Sequence, residues 1–302
     1  MPMQLVFLGT GTSAGVPMIG CGCAVCDSDD PRDRRDRASV LVTYPDVGVD
    51  LEPHHADYNP EQAGRRQMLI DAGPEMRQQV IRHRLSRIDA LWLTHAHADH
   101  TFGIDDLRRF NATMKRPIDV YAEPDVLDQC RRTFRHIFAP QHNANRSFVA
   151  QLVGQAVTPG GGVERYGATW TPLRLLHGRL PIVGYRVDFN HASLAYCTDV
   201  SSIPPETFPL LRDLDVLVID ALRYRHHPTH LTVDQALTLI EQIGPRRAYL
   251  THIAHDIRHA ELEPQLPDGV AIAYDGLAVD VGAISAPPPT ARADTSAAGR
   301  GI

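Results

Sequence analysis

The sequence predicts a layered α/β protein with mixed sheets. Strand-like and helix-like segments alternate in both halves of the chain, and in places strands follow one another with no helix between. A composition of 43% apolar and 22% charged residues over 302 positions supplies a sizeable core and excludes a wholly disordered chain.

Residues 5–8 open the chain as a buried strand. The loop behind it, Gly9-Thr10-Gly11-Thr12-Ser13-Ala14-Gly15, misses the GxGxxG spacing by one residue, and no Lys-Ser/Thr pair follows. It reads as a structural turn. Residues 39–44 and 67–70 read as two further strands, and the polar, Pro- and His-containing stretch 45–66 between them as a hairpin insertion or surface loop. A short strand over 90–93 runs into a His-rich turn and then a predicted helix over 102–110. Residues 118–121 form the next strand, followed by a helix over about 124–138. Short strands around Gly160-Gly161-Gly162 fill 151–174, and 182–187, 193–196, 216–219 and 247–250 continue the strand pattern. Helix 232–243 places Val233, Ala236, Leu237 and Ile240 on one face, with Thr232 as N-cap and Gly244-Pro245 as its stop. From Ala286 the Pro-rich tail has nothing to bury and reads as disordered. The expected organisation is one domain over 1–285 and a tail over 286–302.

Thirty Lys plus Arg against 36 Asp plus Glu give a net charge of −6. That balance speaks against a nucleic-acid backbone as partner, since phosphate neutralisation supplies most of such affinity. No run of about 18 apolar residues suits a membrane span, and the N-terminus lacks the basic and long apolar stretches of a signal peptide. The expected compartment is the cytoplasm. Sixteen histidines are the unusual entry in the composition, and their clustering decides what they mean.

Thr94-His95-Ala96-His97-Ala98-Asp99-His100 places three imidazoles and a carboxylate directly after a strand. They converge only if the backbone turns sharply, which presents His95 and His97 to one ion and Asp99 and His100 to a second. Imidazole with carboxylate suits Zn²⁺, and also Mn²⁺ or Fe²⁺. A second cluster, Cys21-Gly22-Cys23-Ala24-Val25-Cys26, puts three thiols in six residues, which in a cytosolic chain favours metal over disulfide. Three soft ligands need a fourth to close a tetrahedral zinc site. Cys130 and Cys197 have no such company and read as packed residues.

HxHxDH in this setting resembles the metallo-β-lactamase superfamily, whose fold is a four-layer αβ/βα sandwich with two metals at one edge of the sheets. The resemblance covers roughly 3–281 and extends to further motifs in order. Leu69-Ile70-Asp71-Ala72-Gly73 resembles the strand end whose carboxylate supports the ligands from behind. His177, Asp199 and His252 match the third-motif His, the carboxylate that bridges the metals, and the last ligand. The opening through Cys26 is similar to that of the PhnP-type phosphodiesterases, which process phosphoribosyl 1,2-cyclic phosphate. The resemblance implies His255 as fourth ligand to the cysteine-bound zinc and His230 as a His that reaches the substrate phosphate. The stretch 221–227 departs from the family's loop, and within it Arg223 and Arg225 are candidates to clamp a second phosphate.

The implied enzyme is a metal-dependent hydrolase of a small, cyclic phosphodiester, with two catalytic divalent metals (Zn²⁺ or Mn²⁺) and one structural Zn²⁺. Two ions bridged by Asp199 would hold a water as hydroxide, with Asp99 among the ligands. His230 would protonate the departing alkoxide or hydrogen-bond the phosphate, and Asp71 would orient the ligands. PhnP-type enzymes form dimers, which implies a homodimer. The alternatives are a tRNA 3′-processing endonuclease, a PqqB-like protein, or a zinc-binding module without turnover. The first carries a long arm between the third-motif His and the bridging Asp; here only 21 residues separate His177 from Asp199.

Overall fold

A computed structural model describes residues 2–45, 64–144 and 148–282. The first half runs β1 (Met3–Gly9), β2 (Ser39–Pro45), β3 (Arg65–Ile70), α1 (Met76–Arg82), β4 (Ala90–Trp92), α2 (Ala98–Thr101), α3 (Arg108–Met114), β5 (Ile118–Ala122), α4 (Pro124–Thr133), α5 (Arg135–Phe138) and β6 (Leu152–Ala156). The second half runs β7 (Val163–Arg165), β8 (Ala168–His177), β9 (Leu180–Phe189), β10 (Ala192–Cys197), β11 (Val216–Asp220), α6 (Val233–Ile243), β12 (Arg247–Thr251), α7 (His259–Leu262) and β13 (Val270–Ile272). The last described strand, β14 (Ala278–Val281), returns to pair with β1.

These strands form two seven-stranded sheets, in the orders β14-β1-β2-β3-β4-β5-β6 and β13-β12-β11-β10-β9-β8-β7. The alternation of side chains along each strand explains the layering. Leu5 and Phe7 of β1, Val40 and Val42 of β2, and Met68 and Ile70 of β3 face the second sheet and pack with Trp170, Val183, Tyr185 and Val187. Val6, Leu8, Leu41 and Leu69 point the other way, under α1, α3 and α4. On the second sheet Leu217, Ile219 and Leu250 point outward against Val233, Ala236 and Ile240 of α6. The result is helix, sheet, sheet, helix. Trp92 stacks on Trp170 across the inter-sheet core, ring centroids 4.3 Å apart and 7° from parallel. Tyr185 then donates its hydroxyl to the Leu93 carbonyl at 2.7 Å, fixing the chain just before the His motif.

Thr232 caps α6 as expected, within a capping box closed by Gln235, and Gly244 ends it at φ 68°. The glycine turn after β1 is structural: a Cβ on Gly9 would meet the Arg37 carbonyl oxygen at 2.0 Å. Two helices differ from the sequence reading. The single helix expected over 102–110 is instead α2, a 3₁₀ turn over Ile104–Leu107, and α3. The break falls at Gly103, whose N–H donates to Ala72 and where a Cβ would lie 2.3 Å from the Gly73 carbonyl oxygen. Close docking on the Asp71 turn takes precedence over helix continuity there. Helix 124–138 is two helices, broken at Phe134, whose φ of −108° and ψ of 47° are not helical. Pro45 and Arg65 pair in register as the ends of β2 and β3, as do Tyr44 and Arg66. The expected insertion therefore begins after Pro45, and its span 46–63, like the tail 286–302, lies outside the described residues. Among the described residues no helix is long and apolar enough to cross a membrane.

The chain turns at the carboxyl ends of β3, β10 and β12 through Asp71, Asp199 and His252, which hold φ of 60°, 58° and 60°. Left-handed backbone at non-glycine residues is costly and concentrates at functional sites.

Candidate metal centre

Asp71 organises the His-rich turn. Its Oδ1 accepts from the Thr94 N–H at 2.9 Å, and its Oδ2 accepts from the Thr94 hydroxyl at 2.8 Å and from His100 Nδ1 at 2.7 Å. With Nδ1 so committed, His100 turns Nε2 inward, 3.3 Å from both Asp99 Oδ2 and Asp199 Oδ2. His252 Nε2 lies 3.3 Å from Asp199 Oδ1. Donor atoms of Asp99, His100, Asp199 and His252 all fall within 4.8 Å of one another, and so do those of His95, His97 and His177. His177 donates Nδ1–H to the Thr229 carbonyl at 2.9 Å, which leaves its Nε2 lone pair free.

The chemistry of these groups fits divalent ions. An ion about 2.1 Å from tetrahedral N and O donors separates them by roughly 3.4 Å, the spacing seen around His100 and Asp199. His100 Nε2 and both ring nitrogens of His252 are buried without a hydrogen-bond partner, which in a native site asks for an ion or another ligand. Burial opposes a charge on His100, yet Asp199 and Asp71 beside it outweigh that and raise its pKa well above the usual imidazole value. Burial holds His95, His177 and His252 below that value, as neutral rings with a lone pair to offer. Burial also works against ionisation of Asp99, but His100 keeps it below the usual carboxylate range.

The cysteine cluster is equally well formed. Sγ atoms of Cys21, Cys23 and Cys26 lie 3.4, 3.4 and 3.8 Å from His255 Nδ1. A tetrahedral zinc with Zn–S near 2.3 Å and Zn–N near 2.0 Å requires S···N edges of about 3.5 Å. The Cys26 N–H and then His255 lower the Cys23 thiol to about 6, while burial pushes Cys26 up to about 11. This cluster and the His/Asp centre share one short turn, since His252 and His255 flank Ile253 and Ala254. Arg35, 1% exposed, secures that turn by donating to the carbonyls of Ala254 and Ile257 while pairing with Asp33.

His230 stands between β11 and α6, with its ring 4.7 Å from those of both His177 and His252. Its Nδ1 donates to Asp220 Oδ2 at 2.7 Å. Asp220 is fully buried and also accepts from the N–H groups of Val200 and Leu222. Asp220 escaped the sequence reading. Its one signal was its place, a carboxylate ending the apolar run of β11 much as Asp71 follows β3. Arg223 and Arg225, expected as a phosphate clamp, are directed elsewhere: Arg223 donates to the carbonyls of Arg225 and His226, and Arg225 pairs with Asp256 at 3.1 Å. His230 also lies within 4.8 Å of donor atoms of His177 and Asp199, so the geometry alone admits it as a ligand.

Comparison with known proteins bears on this architecture. A family model described as the beta-lactamase superfamily domain matches residues 66–253, which hold the His-rich turn, His177, Asp199 and His252. The chain belongs to the metallo-β-lactamase superfamily. Among solved structures, a new diphosphatase from the PhnP family is 38% identical with a TM-score of 0.79, covering 92% of this chain and 97% of that one. The superfamily membership is thus of a PhnP-like kind. Octanoyltransferase of Porphyromonas gingivalis is 36% identical over 280 residues, 91% of this chain; the chain spans 51% of that relative's length. Coenzyme PQQ synthesis protein B of Methylobacterium sp. is 28% identical over 246 residues, 74% of each chain. The chain has the fold of the superfamily's metal-dependent hydrolases.

Proposed function

We propose that the chain is a phosphodiesterase acting on small, cyclic phosphodiesters. Two divalent ions would be held by His95, His97, Asp99, His100, His177, Asp199 and His252, and a structural Zn²⁺ by Cys21, Cys23, Cys26 and His255. When bound, the ion pair supplies a water of lowered pKa and neutralises charge on the phosphoryl oxygens. The chain's own residues do the rest. Asp71 fixes the orientation of His100 and of the Thr94 turn. Thr229 fixes His177. Asp220 holds the Nδ1–H of His230, so a proton carried by His230 for transfer sits on Nε2, toward His177 and His252.

The Asp220–His230 pair is the observation that carries this reading. The PhnP-family relative is named a diphosphatase, and cleavage of a phosphoanhydride would suit the same metal cluster. A phosphate leaves without help, whereas an alkoxide needs a proton. A buried carboxylate that directs one imidazole at the site serves the second need, which favours a diester. An RNA-processing role is less well supported, because His177 and Asp199 are joined only by the compact β8–β9–β10 turns. A PqqB-like role lacks a feature that would call for His230.

The test is His230→Ala. The variant should keep the full metal complement and lose about 10²–10⁴-fold on diesters with poor alkoxide leaving groups. On p-nitrophenyl diesters the loss should be small. Equal losses on both would remove the proton-transfer role, and a drop in metal content would make His230 a ligand.

A further inference from the structure

Asp275 is a buried carboxylate that the chemistry of the metal centre leaves unused. It lies in the connection from β13 to β14, where the chain passes from the second sheet to the first, and its side chain is 8% exposed. The Ala273 N–H donates to the Leu250 carbonyl of β12, and the Gly276 N–H to the Phe7 carbonyl of β1. Backbone bonds therefore fix the connection on both sides of Asp275.

The side chain ties two further segments together. Its Oδ1 accepts from the Thr10 hydroxyl at 2.7 Å, and its Oδ2 from the Asp36 N–H at 2.8 Å. The Asp36 carbonyl accepts the Gly11 N–H at 2.8 Å, and the Thr10 carbonyl accepts the Ile253 N–H at 2.8 Å. Thr10 thus reaches Asp275 with its hydroxyl and the turn that carries His252 and His255 with its carbonyl. The glycine loop after β1 is this link.

The surroundings disfavour a charge on Asp275. The charged groups facing it are Asp36 from the segment before β2, Arg82 from α1 and, farther off, Arg35. Arg82 Nη1 is 3.7 Å away, but that side chain is 46% exposed and already donates to Asp36 at 2.8 Å. Burial, helped by the like charge of Asp36, outweighs the two hydrogen bonds and Arg82 and pushes the carboxyl up to about 7. A neutral acid fits the site in full: it donates its O–H to the Thr10 oxygen and still accepts from Asp36. An ion gains by moving toward Arg82 and water, and that movement leaves Thr10.

We propose that Asp275 is a proton-linked positioning residue for the β12–α7 turn: the neutral acid holds Thr10 under Ile253, and ionisation releases Thr10 and loosens the presentation of His252 and His255. This holds whatever reaction the metal centre performs. The folded chain binds this proton more tightly than the unfolded chain does. The stability it contributes is therefore complete below the ordinary aspartate range and is lost as pH rises through about 7.

Asp275→Asn, compared with wild type as metal-loaded full-length chains, tests this, because an amide keeps one donor for Thr10 and one acceptor for Asp36 at every pH. At about pH 5.5 the two proteins should melt together, and at about pH 8.5 the variant should melt about 3 °C or more higher. Hydrogen exchange followed by mass spectrometry separates positioning from bulk stability. At the higher pH, exchange in a peptide spanning 250–255 should be faster in wild type than in the variant, by a factor about fivefold or more above any difference at β8. A merely structural buried acid would move both regions alike. Wild type alone supplies a second measurement: the Asp275 carboxyl ¹³C resonance should titrate between about pH 6 and 8. A carboxyl already ionised at about pH 5.5, matched melting of the two proteins at both pH values, or equal changes at the turn and β8 overturns the proposal.

Discussion

Asp71 and Asp220 do the same job for different imidazoles. Each accepts a hydrogen bond from a histidine Nδ1 at 2.7 Å, and each leaves the other ring nitrogen facing the site. The tautomer of His100 and of His230 is thus set by a buried carboxylate rather than by the metal centre. Asp71 was legible because a motif surrounds it. Asp220 was not, because a carboxylate closing a strand such as Val216–Asp220 also reads as an ordinary strand end, and its partner lies ten residues on, across a loop. Asp220→Asn tests the role. An amide nitrogen placed toward His230 can no longer accept from Nδ1, so the ring would shift its proton to Nε2. Turnover of alkoxide diesters should fall about 10–100-fold, mainly in kcat, with fold and metal count retained. Imidazole ¹⁵N resonances should report the tautomer change; an unaltered His230 spectrum alongside lost activity would mean Asp220 is merely structural.

Among the elements, the cysteine loop and the β12–α7 turn carry the coupling between the two centres. Within four residues the turn offers His252 to the His/Asp centre and His255 to the cysteines, and Arg35 and the Ile253 N–H, which donates to Thr10, hold it from beneath. The three thiols were legible from spacing alone. The fourth donor, 229 residues after Cys26, was reached only through family resemblance, since no local pattern links residues so far apart. Cys23→Ser should lose one metal per chain and substantial thermal stability, because a structural zinc adds folding energy directly. Elemental analysis and thermal melts check this; a variant with wild-type melting would show that the cluster is not structural. The helix breaks at Gly103 and Phe134 escaped the sequence reading for a related reason: local pattern predicts helix, and tertiary docking decides where it stops.

At the scale of the molecule the two sheets repeat one plan. Each starts with three antiparallel pairings, β14-β1-β2-β3 in one and β7-β8-β9-β10 in the other, and continues with three parallel ones. Asp71 and Asp199 follow the equivalent strands β3 and β10, with the same left-handed turn. The two halves carry no sequence repeat strong enough to read, because what they share is pairing order and turn geometry rather than residues. The mixed, layered architecture was legible from strand and helix alternation. The closing strand β14 was not, since four residues of alternating burial near the chain's end give little signal. Both sheets direct their parallel strand ends to one edge, which is where such sheets place their ligands. If this edge is a phosphodiester-cleaving metal centre, it will show in the rate of the metal-loaded chain on bis-p-nitrophenyl phosphate, set beside its rate on a penicillin. The diester should turn over, His97→Ala and Asp199→Ala should abolish that turnover while the fold persists, and lactam hydrolysis should be negligible. Comparable turnover of the penicillin, or diester turnover that survives Asp199→Ala, would contradict it.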